Sequence, residues 1–204
     1  MKRIPFFAIA VFLTLCFAAE LLSAQVTVTP VHAFTGPNGS NPRAPLVKGS
    51  DGNFYGTTSI GGSGTVNPFG TVFRVSPNGS FTSLYSFSFQ VTGNEPYAGL
   101  MQASDGNFYG TTRGSGSYNG NLFRLTPSGT FTELHAFGGF FGGDDGAHPE
   151  AELVQASDGN LYGVTHDNSF GGGVVFRISP TGANFMKLIQ LPGGANSYSN
   201  LVEG

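Results

Sequence analysis

Beyond residue 25 the apolar positions fall in short runs cut by glycine, proline, asparagine and aspartate, and the same order of runs is written three times. LVKGSDGNFYGTTS at 46–59 returns as LMQASDGNFYGTTR at 100–113 and LVQASDGNLYGVTH at 153–166. A second shared piece follows each: GTVFRVSPNGSFTSLYSF at 70–87, GNLFRLTPSGTFTELHAF at 120–137 and GVVFRISPTGANFMKLIQL at 173–191. The first copy divides into four strand-like segments, 44–48, 53–58, 70–76 and 81–87. Ser50-Asp51-Gly52-Asn53 turns the first segment into the second, because glycine accepts the positive φ of a tight hairpin. Pro77-Asn78-Gly79 turns the third into the fourth. No stretch in this region carries the 3.6-residue period of a helix.

Four antiparallel strands per unit of about fifty residues, repeated in tandem, predict an all-β fold, a β-propeller-like array of blades. Asp51, Asp105 and Asp158 keep the period, 54 and then 53 positions apart. Blades are packed on both faces, and Val72-Phe73, Leu122-Phe123 and Val174-Val175-Phe176 are apolar on both sides as that requires. The repeats run over about 44–87, 98–137 and 151–191, with partial copies at 28–34 and 200–204. Three full blades fall short of the roughly four that a closed ring needs. The expected object is therefore an incomplete array, a piece of a longer protein, whose open ends promote self-association. The short Asp-Gly-Asn and Pro-x-Gly turns share one rim. The variable loops 59–69, 113–119 and 166–172 share the other with the connections between blades.

The chain opens MKRIPFFAIAVFLTLCFAAELLSAQ, with Lys2 and Arg3 before an apolar run and Ser23-Ala24 after it, the layout of a secretory signal peptide over 1–24. Removing it takes Lys2, Arg3 and Glu20, so a net charge of −3 becomes −4. It also takes Cys16, the single cysteine, and leaves no disulfide to stabilise the fold. No membrane span is expected in the mature chain. The absence of a basic run argues against nucleic acid as a partner. Charged residues make up 10 % of the chain, against roughly a quarter in ordinary domains, and 32 glycines stand beside 20 phenylalanines. That mixture suits short strands and glycine turns.

The DGNFYGTT piece followed by GTVFRVSPNGSFTSLYSF resembles the GloVer tandem-repeat family, the choice-of-anchor group of bacterial surface proteins. The resemblance covers residues 28 to 204 and implies a secreted propeller-like array held to the cell envelope. It brings no activity, catalytic residue or cofactor with it.

Asp51, Asp105 and Asp158 read as turn residues accepting backbone N–H groups; a calcium loop would need further carboxylates close by, so no metal is expected. Arg74, Arg124 and Arg177 recur on the third strand, and each is expected to pair with the aspartate of its own blade. Tyr55, Tyr109 and Tyr162 read as core residues whose hydroxyls reach the rim. Candidate ligand-binding residues are the unrepeated ones: Asp144, Asp145 and His148 before the third copy, and His166 and Asp167 in its variable loop. The leading reading is a secreted or surface module, binding or scaffolding, with a glycan or an envelope protein as partner and no cofactor. The alternatives are a propeller lyase or glycan hydrolase centred on the same histidines and carboxylates, or a gene fragment without independent function.

Overall fold

Each repeat folds into one sheet. The computed structural model describes residues 29–63, 69–88, 94–114, 119–138, 144–167, 171–193 and 199–204, and these contain twelve strands and no helix. The first sheet holds β1 (Val47–Lys48), β2 (Phe54–Thr58), β3 (Thr71–Val75) and β4 (Phe81–Ser86) in chain order. The second holds β5 (Met101–Gln102), β6 (Phe108–Thr112), β7 (Asn121–Leu125) and β8 (Phe131–Ala136). The third holds β9 (Val154–Gln155), β10 (Leu161–Val164), β11 (Val174–Ile178) and β12 (Met186–Gln190). Every neighbouring pair is antiparallel. The proposed signal segment and the loop pieces 64–68, 115–118 and 168–170 lie outside the described residues.

The registers repeat from copy to copy. Tyr55 faces Arg74, Tyr109 faces Arg124 and Tyr162 faces Arg177. The glycine after each tyrosine is needed for close approach. A Cβ on Gly110 would lie 2.7 Å from Phe123 Cζ and 3.0 Å from Leu100 Cδ2. Gly56 and Gly163 meet the corresponding phenylalanine and leucine. The fourth strand departs from regular pairing at one place in every copy. Val72 faces Tyr85 while Phe73 faces Ser83, which leaves Leu84 as the extra residue of a β-bulge. Leu134 and Leu188 are bulged in the same way. A bulge re-aims the side chain it carries, and Leu84 and Leu134 accordingly pack into the cores between sheets.

Those cores lie where sheets stack. Tyr55, Val72 and Phe87 of the first repeat meet Leu100, Phe108, Phe123 and Leu125 of the second. Tyr109, Leu122 and Phe137 then meet Leu153, Leu161, Phe176 and Ile178 of the third. Tyr55 stacks on Phe108 at 4.0 Å between centroids, and Tyr85 on Phe131 at 4.3 Å. Burial of a side chain such as Phe108 contributes about 1.5–3 kcal/mol. Polar groups tie the same interfaces. Gln102 Oε1 accepts from Ser50 N and Gln155 Oε1 from Ser104 N, each at 2.8 Å. Thr57 and Thr111 donate to the carbonyls of Ala98 and Pro149 in the next repeat. The three sheets do not close into a ring.

Candidate functional site: the variable rim

The two rims differ in kind. On the turn rim each copy builds the same unit. Asp105 accepts from the backbone N–H and side-chain amide of Asn107 and, at 2.7 Å, from the Tyr109 hydroxyl. Asp51 and Asp158 do the same with Asn53 and Tyr55, and with Asn160 and Tyr162. The expected aspartate–arginine ion pair does not form. No Arg74–Asp51, Arg124–Asp105 or Arg177–Asp158 contact comes within ion-pair distance, because asparagine and tyrosine already take both carboxylate oxygens. Each arginine instead lies beside the tyrosine hydroxyl, the residue it faces across the strand pair. Burial pushes Asp105 up, but Tyr109, Asn107 and, least, the charge of Arg124 outweigh it and leave the carboxyl below its ordinary value. The Tyr109 hydroxyl is pushed well above its usual range by burial and by Asp105. The aspartate–asparagine–tyrosine unit of this rim recurs in every copy.

On the other rim the frame repeats and the side chains do not. Gly39-Ser40-Asn41-Pro42, Gly93-Asn94-Glu95-Pro96 and Gly146-Ala147-His148-Pro149 stand at one repeat position. Asn41, Glu95 and His148 all adopt left-handed backbone, with φ of 57°, 57° and 53°. Antiparallel bridges pin each to its own variable loop: Ser40 to Ile60, Asn94 to Gly114 and Ala147 to Asp167. Gly39 and Gly146 lie against Thr58 and Thr165 so closely that a Cβ would come within 2.5 Å and 2.3 Å of their hydroxyls. A non-glycine residue at positive φ is uncommon. Asn and His tolerate it best, whereas Glu gains nothing from it.

The side chains at these stations make local partnerships. At the third, His148 Nδ1 lies 2.8 Å from Asp167 Oδ1, and His166 Nδ1 lies 3.7 Å from Asp167 Oδ2. At the second, Arg113 donates to Glu150 at 2.6 Å and reaches Glu95 at 3.5 Å. Burial lowers the Arg113 pKa, but Glu150 and Glu95 raise it by more. Arg43 lies 4.4 Å from the centroid of the Tyr97 ring, and Arg113 5.7 Å from it. Arg43, Tyr97, Arg113 and Glu150 thus form a polar band that passes from repeat to repeat.

Of the five candidate residues, three come together: His148, His166 and Asp167. The other two turn away from them. Asp145 meets His135 of β8 at 2.8 Å and accepts from Gly138 N–H. Its burial raises its pKa, but those bonds outweigh the effect and hold the carboxyl below its ordinary value. Asp144 pairs with Lys187 of β12. Among the described residues, no three His, Cys, Asp or Glu side chains are placed to hold a metal ion. Sequence reasoning missed Glu95, Arg113 and the polar band. Their signal was present in the glycine and proline of the G-x-x-P tetrads, which keep the 54- and 53-residue spacing of the aspartates.

A repeated antiparallel blade and a rim of station residues define a tandem-repeat propeller module. The sequence matches the Gloeobacter/Verrucomicrobia repeat over residues 17–142, and the chain belongs to that family. No curated protein matches it in sequence. Among solved structures it is similar to a chain of a nidogen/laminin complex, at 15 % identity and a TM-score of 0.51, over 73 % of this chain and 48 % of that one. A gluconolactonase of Xanthomonas campestris matches at 18 % identity and a TM-score of 0.46, over 76 % and 48 %. A luciferin-regenerating enzyme matches at 15 % and 0.48, over 76 % and 48 %. The chain spans about half the length of each. At these identities the likeness to the nidogen/laminin chain is one of fold alone, and the two weaker matches add nothing on function.

Proposed function

We propose that the chain is a binding module, exported by residues 1–24, that takes a glycan or an envelope protein on the rim carrying Asn41, Glu95 and His148. One observation carries the reading: three copies hold one unusual backbone conformation at one place, yet each presents a different polar side chain there. A fixed frame that displays varied side chains is the usual construction of a recognition surface. Asparagine, glutamate, arginine and histidine at spaced stations suit a ligand rich in hydroxyl groups, since each offers planar donors or acceptors. Glycan-microarray screening of the chain, beside a variant with Asn41→Ala, Glu95→Ala and His148→Ala, tests this. The wild type should show a set of positive glycans that the triple variant loses. Equal signals from both would contradict it.

The enzyme reading keeps one observation in its favour. With Nδ1 of His148 directed at Asp167, a proton on Nδ1 leaves Nε2 as a base, the arrangement of a general base oriented by a carboxylate. Turnover of an array-positive glycan that His148→Gln abolishes without loss of binding would favour it.

A further inference from the structure

The residue after each rim proline differs in chemistry from copy to copy. Arg43, Tyr97 and Glu150 follow Pro42, Pro96 and Pro149, a cation, an aromatic ring and an anion at one repeat position. Each stands two residues beyond a left-handed station. Two residues span at most about 7 Å, so a ligand held at Asn41 is within reach of Arg43.

The charges in this row are not evenly matched. Arg113 takes both nearby carboxylates, Glu150 at 2.6 Å and Glu95 at 3.5 Å. Glu95 also meets the hydroxyl of the half-buried Tyr97. The Arg43 guanidinium lies over that ring, 4.4 Å from its centroid. Arg43 is exposed, and among the described residues no carboxylate pairs with it. The ring attracts the guanidinium by its charge and leaves it N–H groups that point elsewhere. Those groups form a planar fork that matches a carboxylate with two parallel hydrogen bonds. Holding the side chain over the ring also reduces the freedom it must lose on binding. Arg43 is thus a positioned, uncompensated cation where the first and second repeats meet.

We propose that Arg43 receives the carboxylate of an acidic sugar, so that the glycan of the variable rim carries uronic acid units. The inference rests on the glycan reading of that rim and names the class of sugar. The backbone beside Arg43 favours a glycan over an acidic peptide. Ser40 and Ile60 exchange N–H to carbonyl bonds in both directions, and Asn94 and Gly114 do the same. These loop backbones are already paired, whereas an extended peptide docks by bonding to free backbone groups. Recognition then falls to side chains, and Asn41 offers an amide to sugar hydroxyls next to the Arg43 fork.

A glycan microarray carrying uronate-bearing, sulfated and neutral glycans tests this, with each uronate present also in carboxyl-reduced form. The chain should bind uronate glycans and lose them on reduction. Calorimetric titration with a positive uronate oligosaccharide should show binding at least about tenfold weaker for Arg43→Gln, the loss of a charge-assisted pair. Arg43→Lys keeps the charge without the fork and should recover part of the affinity. Thermal melts of both variants should match the wild type, since the position is exposed. Positives that are only neutral or only sulfated overturn the proposal, as does an Arg43→Gln variant that binds uronates like the wild type. Poly-glutamate that binds as tightly as the uronate also overturns it. Neutral glycans lost by the triple station variant but kept by Arg43→Gln would leave the rim reading standing and sink the carboxylate subsite alone. An array with no positive glycan would overturn both.

Discussion

The aspartate–asparagine–tyrosine unit shows how a single residue choice is enforced in every copy. Asp105 serves two oxygens to three donors, and the Tyr109 hydroxyl that meets it belongs to a ring buried between sheets. Without Asp105 the Tyr109 hydroxyl keeps only its longer bond to the Pro180 carbonyl, at 3.3 Å, and a poorly satisfied buried hydroxyl costs up to about 1–3 kcal/mol. Asp105→Ala and Tyr109→Phe should therefore couple by about 1 kcal/mol in a double-mutant cycle from urea melts. Asp105→Ala with Arg124→Gln should add to within about 0.5 kcal/mol, since arginine acts at one remove. The sequence shows the repeated charges plainly, and pairing them is the natural inference. Asn107 and Tyr109 recur just as strictly, but only the turn geometry reveals that they saturate the carboxylate first.

The same unit sets an acid limit. The carboxyls of Asp51, Asp105 and Asp158 all lie below their ordinary value of 3.8 in the folded chain. Asn53 and Asn160 are the main cause for Asp51 and Asp158, while at Asp105 the bonds from Tyr109 and Asn107 overcome burial. A depressed carboxyl contributes stability that is complete above the unfolded value and disappears as pH falls through the folded one. Thermal melts should thus change little from neutral pH down to about pH 5 and fall steeply below about pH 4. Asp105→Asn should flatten that fall. A melting temperature that rises on acidification would contradict the assignment.

At the scale of elements, strands and turns are legible because their apolar runs and glycine turns say where they begin and end. The first strand comes out shorter than the segment 44–48 suggests, since only Val47 and Lys48 pair with β2. The bulges at Leu84, Leu134 and Leu188 are not legible, because one extra residue in a strand leaves the alternation almost unchanged. The left-handed stations were half visible: proline after His148 signals a turn, but not the sign of φ. Their strain can be measured. At φ of 53° glycine is at ease and alanine is not. His148→Gly should therefore be more stable than His148→Ala by about 1 kcal/mol, although both lose the bond to Asp167. Equal stability would mean that the station holds no strain.

At the scale of the whole molecule, repetition does two separate things. It stacks sheets through one interface used twice, which is why the propeller-like architecture could be read from the period together with the four strand-like segments of each copy. It also sets the same loop position at the same rim in every copy, so that changes there leave the core alone. The sequence identified His148, His166 and Asp167 as neighbours because both segments reach that rim. It could not separate Asp144 and Asp145 from them, since their partners, Lys187 and His135, lie on outer strands of two different sheets. Hydrogen-exchange mass spectrometry with and without a glycan selected on the microarray tests the account most directly. Protection should rise at 39–43, 94–97, 113–114, 147–150 and 166–167, and stay unchanged at the Asp-Gly-Asn turns 51–53, 105–107 and 158–160. Protection confined to those turns would show that the ligand sits on the other rim, and the account would fail.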